Sequence, residues 1–216
     1  MKGYVVTLFN LPESVAVANR CKESGEQFGV EVDLFPAIFK NISLEELEKE
    51  QIRLSTWDES YSDVGAVVGN FITQYRIWKT IVESNEPGIV LEHDAVFVDR
   101  IPNLKDKGDI INLGKPSYGN FIKKNKPGIY PMFSKPGGYI PGAHGCYLTP
   151  RGALELISIA KQKGAAPCDM FLNNKNFPNI KESYPWPIEA LDSFSTIQKE
   201  KGCIAKHNYN KDYKIF

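Results

Sequence analysis

The chain has 216 residues, with 26 Lys and Arg against 26 Asp and Glu, so its formal net charge is zero. That balance, with no basic tract, argues against a dedicated nucleic-acid binder but leaves room for one phosphate site. Hydrophobic residues make up 42% and aromatics 12%, which excludes a disordered chain and suits one domain with a proper core.

Residues 4–9 (Y-V-V-T-L-F) form a continuous β-rich run, the signature of a buried parallel strand. Asn10, Leu11 and Pro12 close it as a turn. Residues 13–28 then carry Val15, Ala16, Ala18, Cys21 and Phe28 at helical spacing, ended by Gly29. Residues 30–35 read as the next strand. A strand–helix–strand opening predicts a doubly wound α/β fold, Rossmann-like, with a mostly parallel central sheet flanked by helices. No G-x-G-x-x-G occupies the first turn, so a dinucleotide cofactor is not expected.

Residues 41–54 look like a charged helix, with Ser43 as N-cap and Glu46 completing a capping box. Residues 65–84 form a long helix. Val68, Phe71, Ile72, Tyr75, Trp78, Ile81 and Val82 recur at steps of three and four, a stripe that belongs in a core. It is expected to pack beneath the strand that follows.

That strand is 89–91 (I-V-L), and it runs directly into Glu92, His93 and Asp94 before apolar Ala95, Val96 and Phe97. Two carboxylates flanked by apolar residues are costly to bury unpaired. A hard divalent cation at the strand end would satisfy them, and strand C-termini are where ligands bind in open α/β sheets. The triplet thus reads as a metal–diphosphate site. A surface turn with two solvated acids is the competing reading. If the strand persists, His93 points away from its neighbours and is structural.

Residues 108–114 read as another short strand. Residues 115–139 hold many Gly, Pro, Lys and aromatic residues without a period, as in a functional loop or lid. Lys115, Lys123, Lys124, Lys126 and Lys135 there can meet a phosphate or an anionic acceptor, or only solvent. A short strand at 146–148 follows. Thr149 is then a good N-cap and Pro150 suits the first helical position of a helix ending at Gly164. Gly142, Ala143 and Gly145 let the backbone approach a ligand around His144. Pro167, Cys168 and Asp169 start another helical turn, where Asp169 can be a simple cap. Residues 180–191 are expected as a late strand pair bent at Tyr184, Pro185, Trp186 and Pro187.

The four cysteines, Cys21, Cys146, Cys168 and Cys203, show no C-x-x-C spacing, so reduced structural thiols are expected. The apolar run at the N-terminus is too short for a signal sequence, and no run approaches a membrane span. A cytoplasmic protein without a transmembrane segment is expected; peripheral membrane attachment would leave no trace.

Four segments in order, 69–79 (G-N-F-I-T-Q-Y-R-I-W-K), 89–96 (I-V-L-E-H-D-A-V), 142–153 and 166–172 (A-P-C-D-M-F-L), resemble glycosyltransferase family 25, which holds lipooligosaccharide and collagen galactosyltransferases. The opening strand with Asn10 and Leu11, and Phe35, Pro36, Ala37 and Ile38, fit more weakly. Thr73 and Gln74 stand where that family commonly has Ser-His, and His93 where it often has a second acid. The resemblance implies a single GT-A type domain over 1–216 that inverts the anomeric carbon. It would move a hexose, galactose by family inference, from a UDP-sugar donor to a glycan or other hydroxyl acceptor, in surface-glycan or lipopolysaccharide synthesis. Mn2+, or Mg2+, would be the cofactor, with Asp94 as direct ligand, Glu92 binding through water or holding the ribose, and His207 completing the set. A lone tail histidine can equally be merely exposed. Leu8, Asn10, Glu92, Asp94 and His144 would bind the donor, although His144 can also contact the acceptor or be a core residue. Asp169 would be the catalytic base. The rival enzymatic class is a metal-dependent nucleotidyltransferase or phosphohydrolase, which usually shows more clustered acids or a phosphate loop. The non-enzymatic rival is a carbohydrate-binding module without turnover.

Overall fold

The computed structural model describes residues 1–57, 59, 62–116, 123–132, 143–190 and 196–197. Its elements in order are β1 (Lys2–Thr7), α1 (Pro12–Gln27), β2 (Glu31–Pro36), α2 (Ser43–Lys49), α3 (Val64–Ser84), β3 (Gly88–Leu91), β4 (Ala95–Phe97), β5 (Ile110–Asn112), β6 (Gly128–Pro131), β7 (Gly145–Leu148), α4 (Pro150–Lys163), α5 (Cys168–Phe171), β8 (Lys181–Tyr184) and β9 (Ile188–Ala190). Among the described residues the main sheet has seven strands in the order β2-β1-β3-β7-β5-β8-β6, and β4 pairs with β9 in a second, two-stranded sheet. In the main sheet β1, β2, β3, β5 and β8 run one way, while β7 and β6 run against them. The α/β, Rossmann-like, mostly parallel sheet expected from the alternating pattern is therefore present.

The strand period of two divides the core. Val5, Ile89, Leu91, Ile111 and Tyr147 face α1 in one cluster. Val6, Val90, Ile110, Cys146 and Leu148 lie in the other, with α3, α4 and α5. The apolar stripe of α3 is buried as its spacing predicts: Phe71, Tyr75 and Trp78 are each at most 2% exposed. Side chains of this size each contribute roughly 2–3 kcal/mol on burial. Asp63 caps α3 by accepting from the Ala66 N–H at 3.0 Å, and Asn85 ends it in the left-handed region.

Several local expectations change. The 41–54 helix shrinks to Ser43–Lys49, and Ser43 does not cap it: its hydroxyl donates to the Lys40 carbonyl at 2.9 Å. Glu46 is instead drawn into ion pairs with Lys49 and Arg76. β8 and β9 do not pair with each other. β8 sits between β5 and β6, and β9 crosses to β4 with Ala190 opposite Ala95. The 115–139 stretch is not wholly irregular, because it contributes the edge strand β6. At α4 the expectation holds: Thr149 accepts from the Gly152 N–H at 3.1 Å, with Pro150 in the first turn.

The sheet carries a switch point. From β1 the chain crosses through α1 to β2 on one side, then returns to β3 on the other side of β1. The C-terminal ends of β1 and β3 therefore diverge over a crevice, the usual ligand position in an open α/β sheet. Because β7 is antiparallel, its first residue Gly145 lies opposite Leu91, so the residues just before β7 join the same edge. No helix among the described residues is long and apolar enough to cross a membrane.

Candidate active site at the strand edge

The strand β3 ends at Leu91, and 92–94 form a tight turn, with the Ala95 N–H donating to the Glu92 carbonyl at 3.1 Å. The Glu92 N–H in turn donates to the His144 carbonyl at 3.1 Å, which ties the triplet to the entrance of β7. Strand alternation no longer applies within the turn, so its three side chains diverge by turn geometry.

His93 and Asp94 turn toward α1. Ser14, fully buried near the start of α1, accepts from the Leu8 N–H at 3.0 Å, and its hydroxyl meets His93 Nδ1 at 3.0 Å. The Ser14 hydroxyl thus joins the Leu8 backbone to the His93 ring. Burial pushes the His93 pKa down to about 4, consistent with a neutral ring. One serine thus joins the ends of β1 and β3 across the switch point, and the structural role expected for His93 has a stated cause. Asp94, 8% exposed, acts electrostatically on Arg20 and Cys21 of α1. Arg20 Nε and Nη2 are buried without a hydrogen-bond partner, so Asp94 compensates their charge rather than their N–H groups.

Glu92 acts on a different residue. Its charge and that of Asp169 both act on the Cys168 thiol, so the two acids flank one residue. Asn70 of α3 reaches the same sulfur at 3.8 Å. The four-residue α5 is too short to hold itself and is fixed by packing. Phe171 stacks on Trp78 at 5.7 Å and meets Phe71 edge-on at 5.1 Å. Asp169 lies in the first turn of α5, but the N-cap position is Pro167. Backbone N–H groups favour the Asp169 carboxylate, yet burial outweighs them and raises its pKa to about 6. The residue surface is only partly covered, while the carboxyl itself is enclosed enough to feel that cost. A simple cap would be held below the ordinary value; a carboxyl titrating near 6 is suited to exchange protons near neutrality.

His144 is 3% exposed. Its ring bonds to the Ile188 backbone, Nε2 has no partner among the described residues, and burial pushes its pKa down to about 4. Leu8 is half-buried and sits at the crevice through its backbone, whereas Asn10 is exposed in the turn beyond it. His207 lies outside the described residues, as do Cys203 and Lys135. Cys21, Cys146 and Cys168 are buried free thiols, as expected. Burial raises the pKa of each, Cys146 to about 12.

The structure therefore brings together Leu8, Glu92, Asp94 and His144 along one sheet edge, and the charges of Glu92 and Asp169 both act on the Cys168 thiol. Glu92 and Asp94 supply hard oxygen donors suited to a divalent cation, but they diverge. Among the described residues no group of three His, Cys, Asp or Glu side chains is placed to hold a metal ion. Thr73 has a packing role: its hydroxyl donates to the Gly69 carbonyl at 2.6 Å and accepts from the Ile38 N–H at 2.8 Å. Gly69 gives that loop room, since a Cβ there would meet the Ile38 carbonyl at 2.4 Å. Sequence reading missed Ser14, Arg20 and Glu189. The first two carry no motif, and Glu189 is distinguished only by a burial that a lone acid in P-I-E-A does not announce.

No protein-family model matches the chain, and no curated protein does. Similar solved structures include the CTP:phosphocholine cytidylyltransferase LicC from Streptococcus pneumoniae, at 11% identity and TM-score 0.44, covering 89% of this chain and 93% of that one. The galactosyltransferase LgtC, in complex with donor and acceptor sugar analogues, is 12% identical with TM-score 0.41, covering 84% and 73%. A glycosyltransferase involved in glycosylation of the major capsid of PBCV-1 is 15% identical with TM-score 0.40, covering 90% and 95%.

Proposed function

We propose that the chain is an inverting glycosyltransferase that moves a hexose, galactose in this reading, from a UDP-sugar to a hydroxyl of a saccharide or other acceptor. The observation that carries the proposal is the pairing of a switch-point crevice with Asp169, whose pKa burial raises to about 6. Inverting transfer needs one group to take the acceptor proton while the acceptor oxygen attacks the anomeric carbon and UDP departs. Asp169 takes that role, because at neutral pH it is ionised yet basic enough to accept a proton. The crevice between β1 and β3 takes the nucleotide, with Leu8 and Asn10 at its lip. Mn2+, or Mg2+, would be held by Asp94 and Glu92 with His207 as a third ligand, and would supply Lewis-acid neutralisation of the departing diphosphate. A surface glycan or lipopolysaccharide acceptor, met in the cytoplasm or at a membrane face, completes the reading.

A donor panel tests it. UDP release and sugar transfer are measured with several UDP-sugars, with and without Mn2+, for the wild type and Asp94→Ala. The expected result is Mn2+-dependent release of UDP from UDP-galactose with transfer to an acceptor, lost in Asp94→Ala. Wild-type turnover in that variant would remove the triplet from the mechanism. Pyrophosphate release from a nucleoside triphosphate and a sugar phosphate, with no UDP release, would replace the proposal by nucleotidyl transfer.

A further inference from the structure

Beyond the triplet, backbone hydrogen bonds draw three chemistry-bearing residues to one place. The Leu113 N–H donates to the Gly145 carbonyl at 2.8 Å, the Ile188 N–H to the Leu113 carbonyl at 3.2 Å and the Lys115 N–H to the Ile188 carbonyl at 2.8 Å. These bonds knot the end of β5, the start of β7 and the start of β9 beside the 92–94 turn. Three side chains share the knot. His144 precedes β7, Lys115 follows β5, and Glu189 lies in β9 opposite Val96. Lys115 Nζ binds Glu189 Oε1 at 2.9 Å. Glu189 is 6% exposed, and its Oε2 is buried without a hydrogen-bond partner among the described residues. His144, 3% exposed, leaves Nε2 in the same condition. Since Nε2 has no partner, the ring's bond to the Ile188 backbone falls to Nδ1. The Ile188 N–H is already given to Leu113, so Nδ1 carries the hydrogen to the carbonyl and Nε2 is left as a lone-pair acceptor.

Two buried acceptors within one backbone knot, each lacking a donor, are costly unless something donates to them. A ligand with several adjacent hydroxyls does so, and Lys115, bonded to Oε1, fixes where the Glu189 carboxyl group stands. We infer that His144 Nε2 and Glu189 Oε2 form a hydroxyl-reading subsite for the hexose of the nucleotide-sugar donor, with Lys115 positioning Glu189. The donor, rather than the acceptor, is assigned because Glu92 is bonded through its backbone to His144, and β4, which follows Asp94, pairs with β9. This inference rests on the nucleotide-sugar reading above.

Calorimetry with UDP, UDP-galactose and UDP-glucose, each with Mn2+, tests it on the full chain for the wild type, Glu189→Gln and His144→Phe. Glu189→Gln replaces one carboxylate oxygen by an NH2 group, and His144→Phe removes Nε2 together with the Nδ1–H bond to Ile188 while keeping an aromatic ring. The expected result is a loss of about tenfold in UDP-hexose affinity for each variant, with UDP affinity unchanged. Unchanged UDP binding also shows that the variant is folded. Equal losses for UDP and UDP-hexose, or no loss for either, overturn the subsite and leave the function standing; the second is the result if ordered water fills the knot. Wild-type protein that binds neither UDP nor any UDP-hexose overturns the function and the subsite together. A measurement without mutation covers a variant that fails to fold. Wild-type affinity for deoxy analogues of the donor hexose should fall at least tenfold when the read hydroxyl is missing. Analogues bound as tightly as the parent at every ring position would overturn the subsite.

Discussion

The two flanks of the 92–94 turn meet their polar groups differently. Toward α1, Ser14 serves both the Leu8 N–H and His93, and Arg20 stands against Asp94. At α5 the Asp169 pKa is pushed up to about 6, and at the starts of β7 and β9 His144 Nε2 and Glu189 Oε2 lack partners among the described residues, as Arg20 Nε and Nη2 do on the α1 side. The first flank draws its interactions from its own side chains and fastens two strand ends together. The second carries unspent acceptor capacity and a carboxyl poised to exchange protons. Uncompensated polarity in a folded chain marks the place where a ligand's contribution is taken up. In the reading proposed above, Asp169, His144 and Glu189 carry proton transfer and hydroxyl recognition, while the α1 side fastens the strand ends and supplies Asp94.

The largest expected effect breaks the second flank. Asp169→Asn should lower kcat on the order of 10³-fold while UDP binding persists. The variant replaces an enclosed carboxyl by a neutral amide of the same shape, so the unfolding midpoint should hold. The pH profile carries the sign. A base with a pKa near 6 is ionised above that value, so kcat/KM should rise about tenfold per pH unit below about 6 and level off above it. That rising limb should vanish in Asp169→Asn; if it survives with rate intact, another group takes the proton.

Breaking the first flank should instead cost stability as well as rate. Asp94→Ala leaves the half-buried Arg20 guanidinium without its counter-charge, at a cost of about 2 kcal/mol after allowance for its partial exposure. The double variant Arg20→Met with Asp94→Ala should recover most of that in denaturant unfolding, yet remain unable to transfer sugar. Recovery of both together would show that Asp94 serves only as a partner for Arg20.

How much of this was legible in the sequence follows from the range of the interactions. The α3 stripe, the run into β3 and the Thr149–Pro150 start of α4 depend on neighbours within a few residues, and periodicity or capping chemistry reads them directly. The two-stranded β4–β9 sheet was not legible, because three-residue strands pair across nearly the whole second half of the chain. The Ser43 capping box failed for a related reason. Glu46 has the right spacing for a cap, but Lys49 and Arg76 bind it instead, and a motif cannot show that competition. The site divides the same way. Glu92, Asp94 and His144 stood out as residue types in a pattern, and the fold places them at one sheet edge. The direction each acid faces, the isolation of Glu189 and the link through Ser14 depend on turns and burial set by distant strands.

The smallest expected effect separates the site from the helix that supports it. Thr73 lies within α3, and its hydroxyl is fully buried and engaged between Gly69 and Ile38. Thr73→Val keeps the side chain's volume but leaves the Ile38 N–H without its acceptor, at a cost of about 1 kcal/mol. For a chain of this length that lowers the unfolding midpoint by about 3 °C. Thr73→Ser keeps both hydrogen bonds and loses one methyl, which costs about 0.8 kcal/mol by burial alone. Neither variant should change kcat/KM at a temperature where both are folded, because the Thr73 hydroxyl is fully buried and bonded only to backbone of its own helix and of the loop after β2. A loss of turnover in Thr73→Val larger than its loss of folded protein, restored in Thr73→Ser, would move this hydroxyl from packing into the site. The boundary between scaffold and chemistry would then run through α3 instead of along the 92–94 turn.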